Sequence, residues 1–338
     1  MLFSLTACSG NNKKEKYTSS FLDLFDTAST VIAYDTSQGA FDEHMADFKQ
    51  TLGEYDRLYD IYTEYDDITN LCTLNKTAMN SPVKVDEKII DLLEYCKYVY
   101  ELSEGKTNVC FGSVLKLWHN ARSYAVNNPE LSALPDMNEL KEASMHTDFN
   151  DLIIDRENGT VYFADSQLQL DVGAVAKGYA VREITQYAKD KLWTSFAISI
   201  GGNVSTYGFK NDDNKTLWNI GIENPDTSSD DYLVNVHITD LCVVTSGDYQ
   251  RYFTVDNKKY CHIINPDTLM PSEYVSGVSV ICSDSALGDA LSTTLFNMPI
   301  DEGLKLVESM DDVEAVWADK SYNKTFSSGF EQYMEENL

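Results

Sequence analysis

The chain has 338 residues, of which 43% are hydrophobic and 21 are tyrosines, a composition that predicts a folded globular protein with a substantial core. Its 26 Lys and Arg residues against 54 Asp and Glu residues give a formal net charge of -28, and no part of the sequence forms a basic stripe. Nucleic acids and anionic membrane surfaces are therefore poor partners, and an anionic ligand needs a local group of cations or a metal ion.

The first residues resemble a lipid-attachment signal. Leu5-Thr6-Ala7-Cys8 has the pattern of the bacterial lipobox, in which a small residue precedes the cysteine that receives lipid, and a polar run follows it. We therefore predict a signal remnant and tether over 1–20, a folded unit over 21–338, and a lipid anchor at Cys8 that holds the protein to the cell membrane on the extracytoplasmic side. The apolar stretch before Cys8 is short and has no basic residue, so the alternative is a chance cysteine in a disordered terminus.

The other six cysteines are scattered along the sequence. They contain no C-x-x-C pair, so neither a zinc-finger cluster nor a particular set of disulfides is indicated. We predict buried free thiols at Cys72, Cys96, Cys110, Cys242, Cys261 and Cys282.

The first half of the chain has mainly helical patterns. A β-branched and aromatic run over 21–34, broken at Asp26-Thr27, predicts a strand. Apolar residues at three- and four-residue steps then predict a long amphipathic helix over 41–62. Three further segments follow in chain order: a helix at 86–102 with Asp86 as its N-cap, a shorter helix within 108–119, and a polar excursion with one short helix at 127–147.

The second half of the chain is richer in strand patterns. Asn158-Gly159 lies between two short apolar runs and predicts a hairpin. Seven more strand-like runs are separated by Gly, Asn, Asp or Pro, at 195–200, 204–209, 217–223, 232–239, 241–244, 249–255 and 275–282. Helices are predicted again at 285–297 and 301–310. The sequence therefore predicts one α+β unit with a largely antiparallel mixed sheet flanked by helices.

One stretch of small residues is the first candidate for a ligand site. The run LDVGAVAKGYA at 170–180 follows the apolar alternation of a strand and leads into a helical pattern. It combines a carboxylate at the strand end (Asp171), a bare turn (Gly173, Ala174) and a lysine near a helix N-terminus (Lys177). This combination favours a phosphorylated ligand and a cation. The alternative is a tight strand-to-helix connection whose small residues serve packing.

A second candidate lies in the predicted helix at 285–297. Asp289 and Thr293 are four residues apart and share one face, with Ser292 beside them. Oxygen ligands on one helix face are typical of sites for a hard cation such as Mg²⁺. An ordinary polar surface stripe is the alternative, although the neighbouring residues are more apolar than such a stripe usually is.

Two glycine-bearing strand ends and one histidine complete the candidates. Gly201-Gly202 and Thr245-Ser246-Gly247 allow close approach of a ligand to the backbone, or are simply hairpin turns. His262 precedes Asn265-Pro266 and is either a functional base or a structural histidine. No Ser-His-Asp or Cys-His motif indicates a hydrolytic triad.

The motifs of the whole chain, taken in order, resemble those of the ApbE family, the FAD:protein FMN transferases. They are FDT at 25–27, DVGAVAKGY at 171–179, IGGN at 200–203, WNIGIENP at 218–225, TSGDY at 245–249, HIINP at 262–266 and DALSTTL at 289–295. The family usually has HIIDP-x-TG in the histidine stretch. Here Asn265 replaces the Asp and Leu269 replaces the Gly, which puts the local turn in question.

The resemblance implies a role for each cluster. Mg²⁺ would be held by the side chains of Asp289, Thr293 and Ser292 and by the backbone oxygen of Ala174. His262 would be the general base for the incoming hydroxyl. FAD would be contacted by Phe25, Tyr62, Trp118, His119, Asn120, Asp171, Lys177 and Ile263.

The implied reaction is Mg²⁺-dependent transfer of FMN from FAD to a Thr or Ser hydroxyl of an acceptor flavoprotein, with release of AMP. The partners would be FAD and that acceptor, with no nucleic acid and with membrane contact only through the lipid. One alternative is an FAD pyrophosphatase that yields FMN and AMP, because water can replace the protein hydroxyl. Another is a flavin-binding lipoprotein without turnover, which would have no need of Asp289, Thr293 and His262.

Overall fold

The fold is built on an eight-stranded sheet in a computed structural model that describes residues 14–210 and 214–334. The strands are β1 (Glu15–Phe21), β2 (Ser29–Asp35), β3 (Val83–Lys84), β4 (Leu152–Asp155), β5 (Thr160–Phe163), β6 (Phe196–Ile200), β7 (Asn203–Tyr207), β8 (Trp218–Ile222), β9 (Val234–Ile238), β10 (Cys242–Gly247), β11 (Tyr252–Val255), β12 (Lys258–Cys261), β13 (Gly277–Cys282), β14 (Glu314–Ala318) and β15 (Lys324–Phe326). The helices are α1 (Gln38–Tyr59), α2 (Leu71–Thr77), α3 (Glu87–Leu102), α4 (Gly112–Asn127), α5 (Met137–Ala143), α6 (Ala176–Lys191), α7 (Ser285–Phe296) and α8 (Ile300–Glu308).

The main sheet is antiparallel throughout. Its strand order is β1-β2-β6-β7-β10-β13-β14-β15, and every neighbouring pair runs in opposite directions. Helices pack on the sheet, so the predicted α+β class with a largely antiparallel sheet flanked by helices is confirmed. The hairpin predicted at Asn158-Gly159 is also confirmed, as β4 paired with β5.

The centre of the sheet is covered on both faces. Every residue of β13 is buried, which explains why this strand has a continuous apolar pattern instead of an alternating one. Val278, Val280 and Cys282 pack toward α7 and α8, whereas Ile281 packs with the β8–β9 hairpin on the opposite face. The arrangement has three layers here and places α7 directly against the middle of the sheet.

The helices α6 and α7 lie side by side and touch at a glycine. A Cβ placed on Gly178 of α6 would overlap the Cβ of Asp289 and the carbonyl oxygen of Ser285 in α7. Any larger residue at position 178 would therefore push the helices apart. This contact brings Lys177 of the small-residue stretch to Asp289 of α7.

The boundary predicted between tether and folded unit is wrong. Residues 15–20 belong to β1, which pairs along its whole length with β2, so the folded unit begins before residue 21. The missed signal is the alternation of side chains in a solvent-facing edge strand, which carries few apolar residues. Cys8 and the rest of 1–13 lie outside the described residues. No helix in the described part of the chain has the length and hydrophobicity that a bilayer crossing requires.

Several predicted boundaries in the helical half also shift. The helix expected within 108–119 is α4, which continues to Asn127 because no breaker occurs before Pro129. The long helix ends at Tyr59 rather than at residue 62, because Asp60 takes an extended conformation and its carboxylate accepts the backbone N–H groups of Tyr62 and Thr63. The short helix of the excursion is confirmed as α5, whereas α2, β3, β12, β14 and β15 had no predicted counterpart.

All six predicted free cysteines are buried and unpaired, as expected. Burial raises the pKa of the Cys242 thiol to about 11 and opposes formation of a reactive thiolate. The described cysteines therefore contribute packing and no evident chemistry.

Candidate active site

The strand predicted to lead into Asp171 ends earlier, at Phe163 of β5, and residues 164–170 form no strand beyond one isolated bridge between Gln169 and Phe111. Asn75 performs the role that a partner strand would have: its side chain accepts from Leu170 N at 2.7 Å and donates to Leu170 O at 2.9 Å. Asp171 N donates to Val109 O at 2.8 Å. The Val172 carbonyl then accepts from Ala176 N at 2.8 Å and starts α6. A side-chain amide and one backbone bond thus hold Asp171 in place.

Lys177 and Asp289 meet where α6 and α7 touch. Lys177 Nζ lies 3.3 Å from Asp289 Oδ1, and Gly178 N donates to Asp289 Oδ2 at 2.7 Å. The amide of Gly178 belongs to the first turn of α6, where backbone N–H groups have no partner within their own helix. The Asp289 carboxylate satisfies that amide and complements the positive end of the helix. The structure therefore joins the small-residue stretch at 170–180 to the helix that carries Asp289 and Thr293.

The hydroxyl groups of Ser292 and Thr293, both near Asp289, differ in burial and in hydrogen bonding. Thr293 is half-buried, one turn beyond Asp289 on α7. Ser292 is fully buried; its Oγ donates to Asp289 O at 2.9 Å and lies 2.8 Å from Ser246 Oγ of β10. The Ser292 hydroxyl thus ties α7 to the sheet, and Thr293 is better placed to offer its oxygen to a ligand.

The candidate cation site has a single carboxylate. Among residues 14–210 and 214–334, no group of three or more His, Cys, Asp and Glu side chains could hold a metal ion. Asp289 offers a carboxylate, Thr293 a hydroxyl, and Ala174 a backbone oxygen in the half-buried turn before α6. Such an all-oxygen set with one carboxylate suits Mg²⁺, which usually keeps water or phosphate oxygens in its remaining positions.

Asp171, His119 and Tyr62 form a chain of polar contacts. Asp171 Oδ1 accepts from Gly173 N at 3.0 Å, and its Oδ2 lies 3.7 Å from His119 Nε2. His119 Nδ1 is 3.2 Å from the hydroxyl of Tyr62. Burial lowers the pKa of His119; the Asp171 carboxylate opposes this, and nearby arginine charges add to it. Tyr62 is 65% exposed, so its ring offers an open stacking surface at the end of this chain.

The other predicted flavin contacts are of two kinds. Trp118 is 3% exposed, and its Nε1 donates to Leu269 O at 3.0 Å, while Ile263 is buried in a different core cluster. These two side chains support the site from behind and present little surface to a ligand. Asn120 is exposed on α4, one residue beyond His119.

Phe25 lies in the connection between β1 and β2. It has a positive φ of 54°, its N–H donates to Asp56 Oδ1 at 2.8 Å, and its ring is half-buried against the main core. The FDT motif also places Thr27 against Gly201, where a Cβ would overlap the threonine side chain and φ is +52°. The first glycine of the IGGN motif, Gly201, is thus needed for this close approach, and its N–H donates to Ala28 O at 3.1 Å in the same connection.

One ring nitrogen of His262 is already hydrogen-bonded within the protein. Its Nδ1 lies 3.1 Å from Arg251 O, and its backbone N–H donates to the same carbonyl at 3.0 Å. Because a carbonyl only accepts, Nδ1 carries the proton and Nε2 carries the lone pair of the neutral ring. Burial lowers the pKa of His262 to about 4, and the positive charges of Arg251, Arg122 and Lys177 contribute. His262 is therefore neutral at physiological pH and has the protonation state of a general base.

Asn265 and Leu269, the two residues that depart from the family pattern, both fit the turn after His262. Asn265 Oδ1 accepts from Asp267 N at 2.9 Å and from Thr268 N at 3.1 Å, as a carboxylate would, and Asn265 Nδ2 donates to Asn297 O at 3.1 Å. Leu269 has the left-handed conformation usually left to glycine, with φ of 60°. This conformation costs a non-glycine residue roughly 1–2 kcal/mol, which burial of the Leu269 side chain offsets.

Sequence reasoning missed two arginines and one asparagine. Arg122 and Arg251 line an open cleft of about 520 Å³ together with Asp26, Tyr62 and His119. Arg122 was missed because the predicted helix stopped at residue 119, although His119 and Arg122 are three residues apart and share a helix face. Arg251 lies two residues after the TSGDY motif and could have been found there. Asn75 had no local signal, because its partners lie about 95 residues away.

Comparison with known proteins gives one consistent family. A model of the ApbE family matches residues 25–317. The chain is 32% identical over 263 residues to an FAD:protein FMN transferase of Treponema pallidum, which covers 74% of this chain and 71% of that protein. It is 26% identical over 281 residues to the Klebsiella pneumoniae protein of the same name, covering 80% and 84% of the two chains. The crystal structure of the ApbE protein of Thermotoga maritima superposes with a TM-score of 0.83 at 25% identity and covers 95% of this chain and all of that one.

Proposed function

We propose, from the premise that the chain belongs to the ApbE family, that it transfers FMN from FAD to a Thr or Ser hydroxyl of an acceptor flavoprotein and releases AMP. The relatives carry the name FAD:protein FMN transferase. The environment of His262 is the observation that carries the proposal. This histidine is a neutral base on which the charge of Lys177 acts, and Lys177 Nζ lies 3.3 Å from Asp289 Oδ1. A base, a phosphate-binding cation and a metal-binding carboxylate are the groups that such a transfer requires.

The residues fit a magnesium ion. Asp289, Thr293 and the carbonyl of Ala174 would hold it, and Ser292 would keep α7 in position through its bond to Ser246. A bound Mg²⁺ would neutralise charge on the diphosphate of FAD as a Lewis acid. Lys177, now paired with Asp289, would be free to contact the nucleotide once the carboxylate takes a metal.

The chain's own residues then account for the proton and for the geometry. His262 Nε2 would accept the proton of the acceptor hydroxyl as its oxygen bonds to the FMN phosphorus, and the bond from phosphorus to the AMP oxygen would break. Hydrogen bonding of Nδ1 to Arg251 O holds the imidazole in the tautomer this step needs. Asp171, through His119, would orient Tyr62 toward the flavin. Positioning and charge stabilisation supply most of the acceleration in such transfers.

FAD pyrophosphatase activity is the second candidate, favoured by the openness of the site. Tyr62 is largely exposed and the cleft beside it is open to solvent, so water can reach the position of the acceptor hydroxyl. The same His262 would then accept a proton from water. Acceptor binding would exclude water and select transfer.

A lipid anchor at Cys8 and an extracytoplasmic location belong to the same proposal. The lipobox-like LTAC at 5–8 supports them. When cells that produce the protein grow with a radiolabelled fatty acid, the full chain should be labelled and the Cys8→Ser variant should not. Equal labelling of both would refute the anchor.

One assay separates these functions. The protein is incubated with FAD, Mg²⁺ and a candidate acceptor domain, and the acceptor mass and free AMP are measured together. Transfer gives an FMN-sized mass increase with one AMP per modified acceptor. AMP without any mass increase would favour the pyrophosphatase. Bound FAD without AMP would indicate a flavin-binding protein without turnover and would refute both catalytic proposals.

A further inference from the structure

Two of the five arginines in this acidic chain have no carboxylate partner in the part that the structure describes. Arg57 pairs with Asp67, Arg156 with Asp91 and Glu94, and Arg182 with Glu183 and Asp284. Arg122 and Arg251 form no ion pair among residues 14–210 and 214–334, although the sequence holds 54 acidic residues. The two unpaired guanidinium groups are thus the exceptions among the arginines.

The same two arginines line one cleft. Arg122 is half-buried on α4 and Arg251 is exposed just before β11, and both border the 520 Å³ opening beside Tyr62 and His119. Arg251 Nη2 has one long contact, 3.5 Å to the backbone oxygen of Asp26. Burial lowers the pKa of the Arg122 guanidinium, and the like charge of Arg251 lowers it further. Two cations held near each other without a counter-ion favour an anionic ligand between them.

Neither Asp26 nor Asp171 forms an ion pair with Arg122 or Arg251, although the charge of Asp171 partly opposes the lowering of the Arg122 pKa. Asp171 is committed to Gly173 N and faces His119. Asp26 lines the cleft, but its contact with Arg251 is made through its backbone oxygen. The positive charge of the pair therefore remains available to a ligand in solution.

We infer that Arg122 and Arg251 form a clamp for a phosphate group of the flavin nucleotide, in the cleft beside Tyr62 and His119. Guanidinium groups present a planar fork of donors that matches phosphate oxygens. The assignment rests on the proposed function for the identity of the ligand, and the phosphate can belong to the FMN moiety or to the AMP moiety of FAD.

The clamp also has a consequence for His262. Arg251 positions this histidine through its carbonyl and faces the cleft with its guanidinium, so one residue connects the base to the phosphate site. A phosphate bound between Arg122 and Arg251 would neutralise the cations that act on His262. The clamp would thus strengthen the base only when the nucleotide is in place.

Binding of fragments of FAD tests the clamp. The full chain is titrated calorimetrically with riboflavin, FMN and AMP in the presence of EDTA, which removes any contribution from a metal. The variants are Arg122→Gln, Arg251→Gln and the double variant. Arg156→Gln is the charge-matched control, because Arg156 is exposed and faces α3 acids outside the cleft.

Of FMN and AMP, we expect the ligand whose phosphate lies in the clamp to bind about tenfold more weakly to each single variant and about 100-fold more weakly to the double variant. Riboflavin affinity should stay within about twofold in all of them, which also reports an intact fold, and the control should bind all three ligands as wild type does. Loss confined to AMP would place the adenylate phosphate in the clamp, and loss confined to FMN would place the flavin phosphate there.

Three outcomes would overturn the clamp. The first is an unchanged affinity of the arginine variants for FMN and AMP, and the second is an equal loss of affinity for riboflavin. The third is a wild-type protein that binds FMN no more tightly than riboflavin and does not bind AMP. The proposed function fails separately, through absence of FMN on the acceptor. A protein that transfers FMN but shows no phosphate-dependent loss in the variants would refute the clamp alone.

Discussion

Gly178 and Asp289 lie so close that the backbone amide of the glycine donates to the aspartate carboxylate at 2.7 Å, with no room for a side chain between the two helices. The need for a glycine at position 178 of α6 therefore arises from the position of Asp289, the candidate metal ligand of α7. Most of the site depends on this contact, because Lys177 precedes Gly178 and Thr293 follows Asp289 by one turn.

Gly178→Ala should destabilise the protein and reduce transfer. The added methyl overlaps Asp289 and Ser285, and overpacking of this kind costs about 1–3 kcal/mol. The free energy of unfolding by urea checks the stability, and the FMN mass increase on the acceptor checks the activity. Gly53→Ala is the control, since that glycine lies inside α1 with its nearest neighbour at 3.7 Å and alanine there should stabilise by about 0.5–1 kcal/mol. An unfolding free energy of Gly178→Ala equal to that of wild type would show that the helices accommodate a methyl group.

Asp289→Ala should abolish the Mg²⁺ dependence of transfer. Loss of the carboxylate removes the one acidic ligand of the candidate site and also the partner of Lys177. Transfer should fall about 100-fold or more, as expected from the loss of several kcal/mol of charge stabilisation. A Mg²⁺ titration of AMP release makes the measurement. Full activity with an unchanged Mg²⁺ titration curve would remove Asp289 from the metal site.

His262→Ala should leave FAD binding intact and slow transfer by about 100- to 10,000-fold, the usual contribution of a general base. In wild type, kcat/KM should fall with acid around pH 4, because the pKa of His262 is lowered to about 4 and the base is lost only below that value. Measured pH profiles of the two proteins provide the check. An unchanged rate in the variant would show that His262 is not the base.

The same histidine should make the fold sensitive to acid. Its pKa lies below the ordinary value of 6.5, so between pH 6.5 and pH 4 the unfolded state binds more protons than the folded state. Its contribution to stability is therefore complete above pH 6.5 and is lost progressively as the pH falls toward 4. We expect the difference in unfolding free energy between wild type and His262→Gln to decline over this interval. A difference independent of pH would mean that His262 titrates normally in the folded protein.

Asn265→Asp should destabilise this chain even though the family usually has aspartate there. The carboxylate would keep the two bonds from Asp267 N and Thr268 N but would face the carbonyl oxygen of Asn297, which now accepts a hydrogen bond. The expected cost is about 1–3 kcal/mol, measured by urea denaturation. Asn128→Asp, which removes a comparable but exposed amide-to-carbonyl bond, is the control and should change stability by less than about 0.5 kcal/mol. Similar effects at both positions would show that burial of Asn265 is not the cause.

The sequence was sufficient for the parts of the site that carry a local signal. Asp289 and Thr293 share a helix face by spacing alone, and Gly178 and Lys177 belong to a run of small residues before a helix. The antiparallel sheet followed from the number of short strands and their turns. These features depend on neighbours within a few residues, so a pattern reveals them.

Features that depend on distant partners were not predictable in this way. The segment at 168–171 has the alternation of a strand, yet its backbone is bonded to the side chain of Asn75. The burial of Trp118 against Leu269 depends on a turn about 150 residues further on. Arg122 lies in the part of α4 beyond residue 119, where no helix was predicted. A helical pattern also does not indicate which of its polar residues faces a cleft.

The ion pair between Lys177 and Asp289 makes two binding events interdependent. A cation that takes Asp289 releases Lys177 for an anion, and an anion that draws Lys177 away leaves Asp289 open to a cation. Each ligand therefore removes the competitor of the other, and by thermodynamic reciprocity each raises the affinity for the other by the same factor. Metal and nucleotide should thus bind this protein with positive cooperativity, and a metal-free protein should hold its nucleotide weakly.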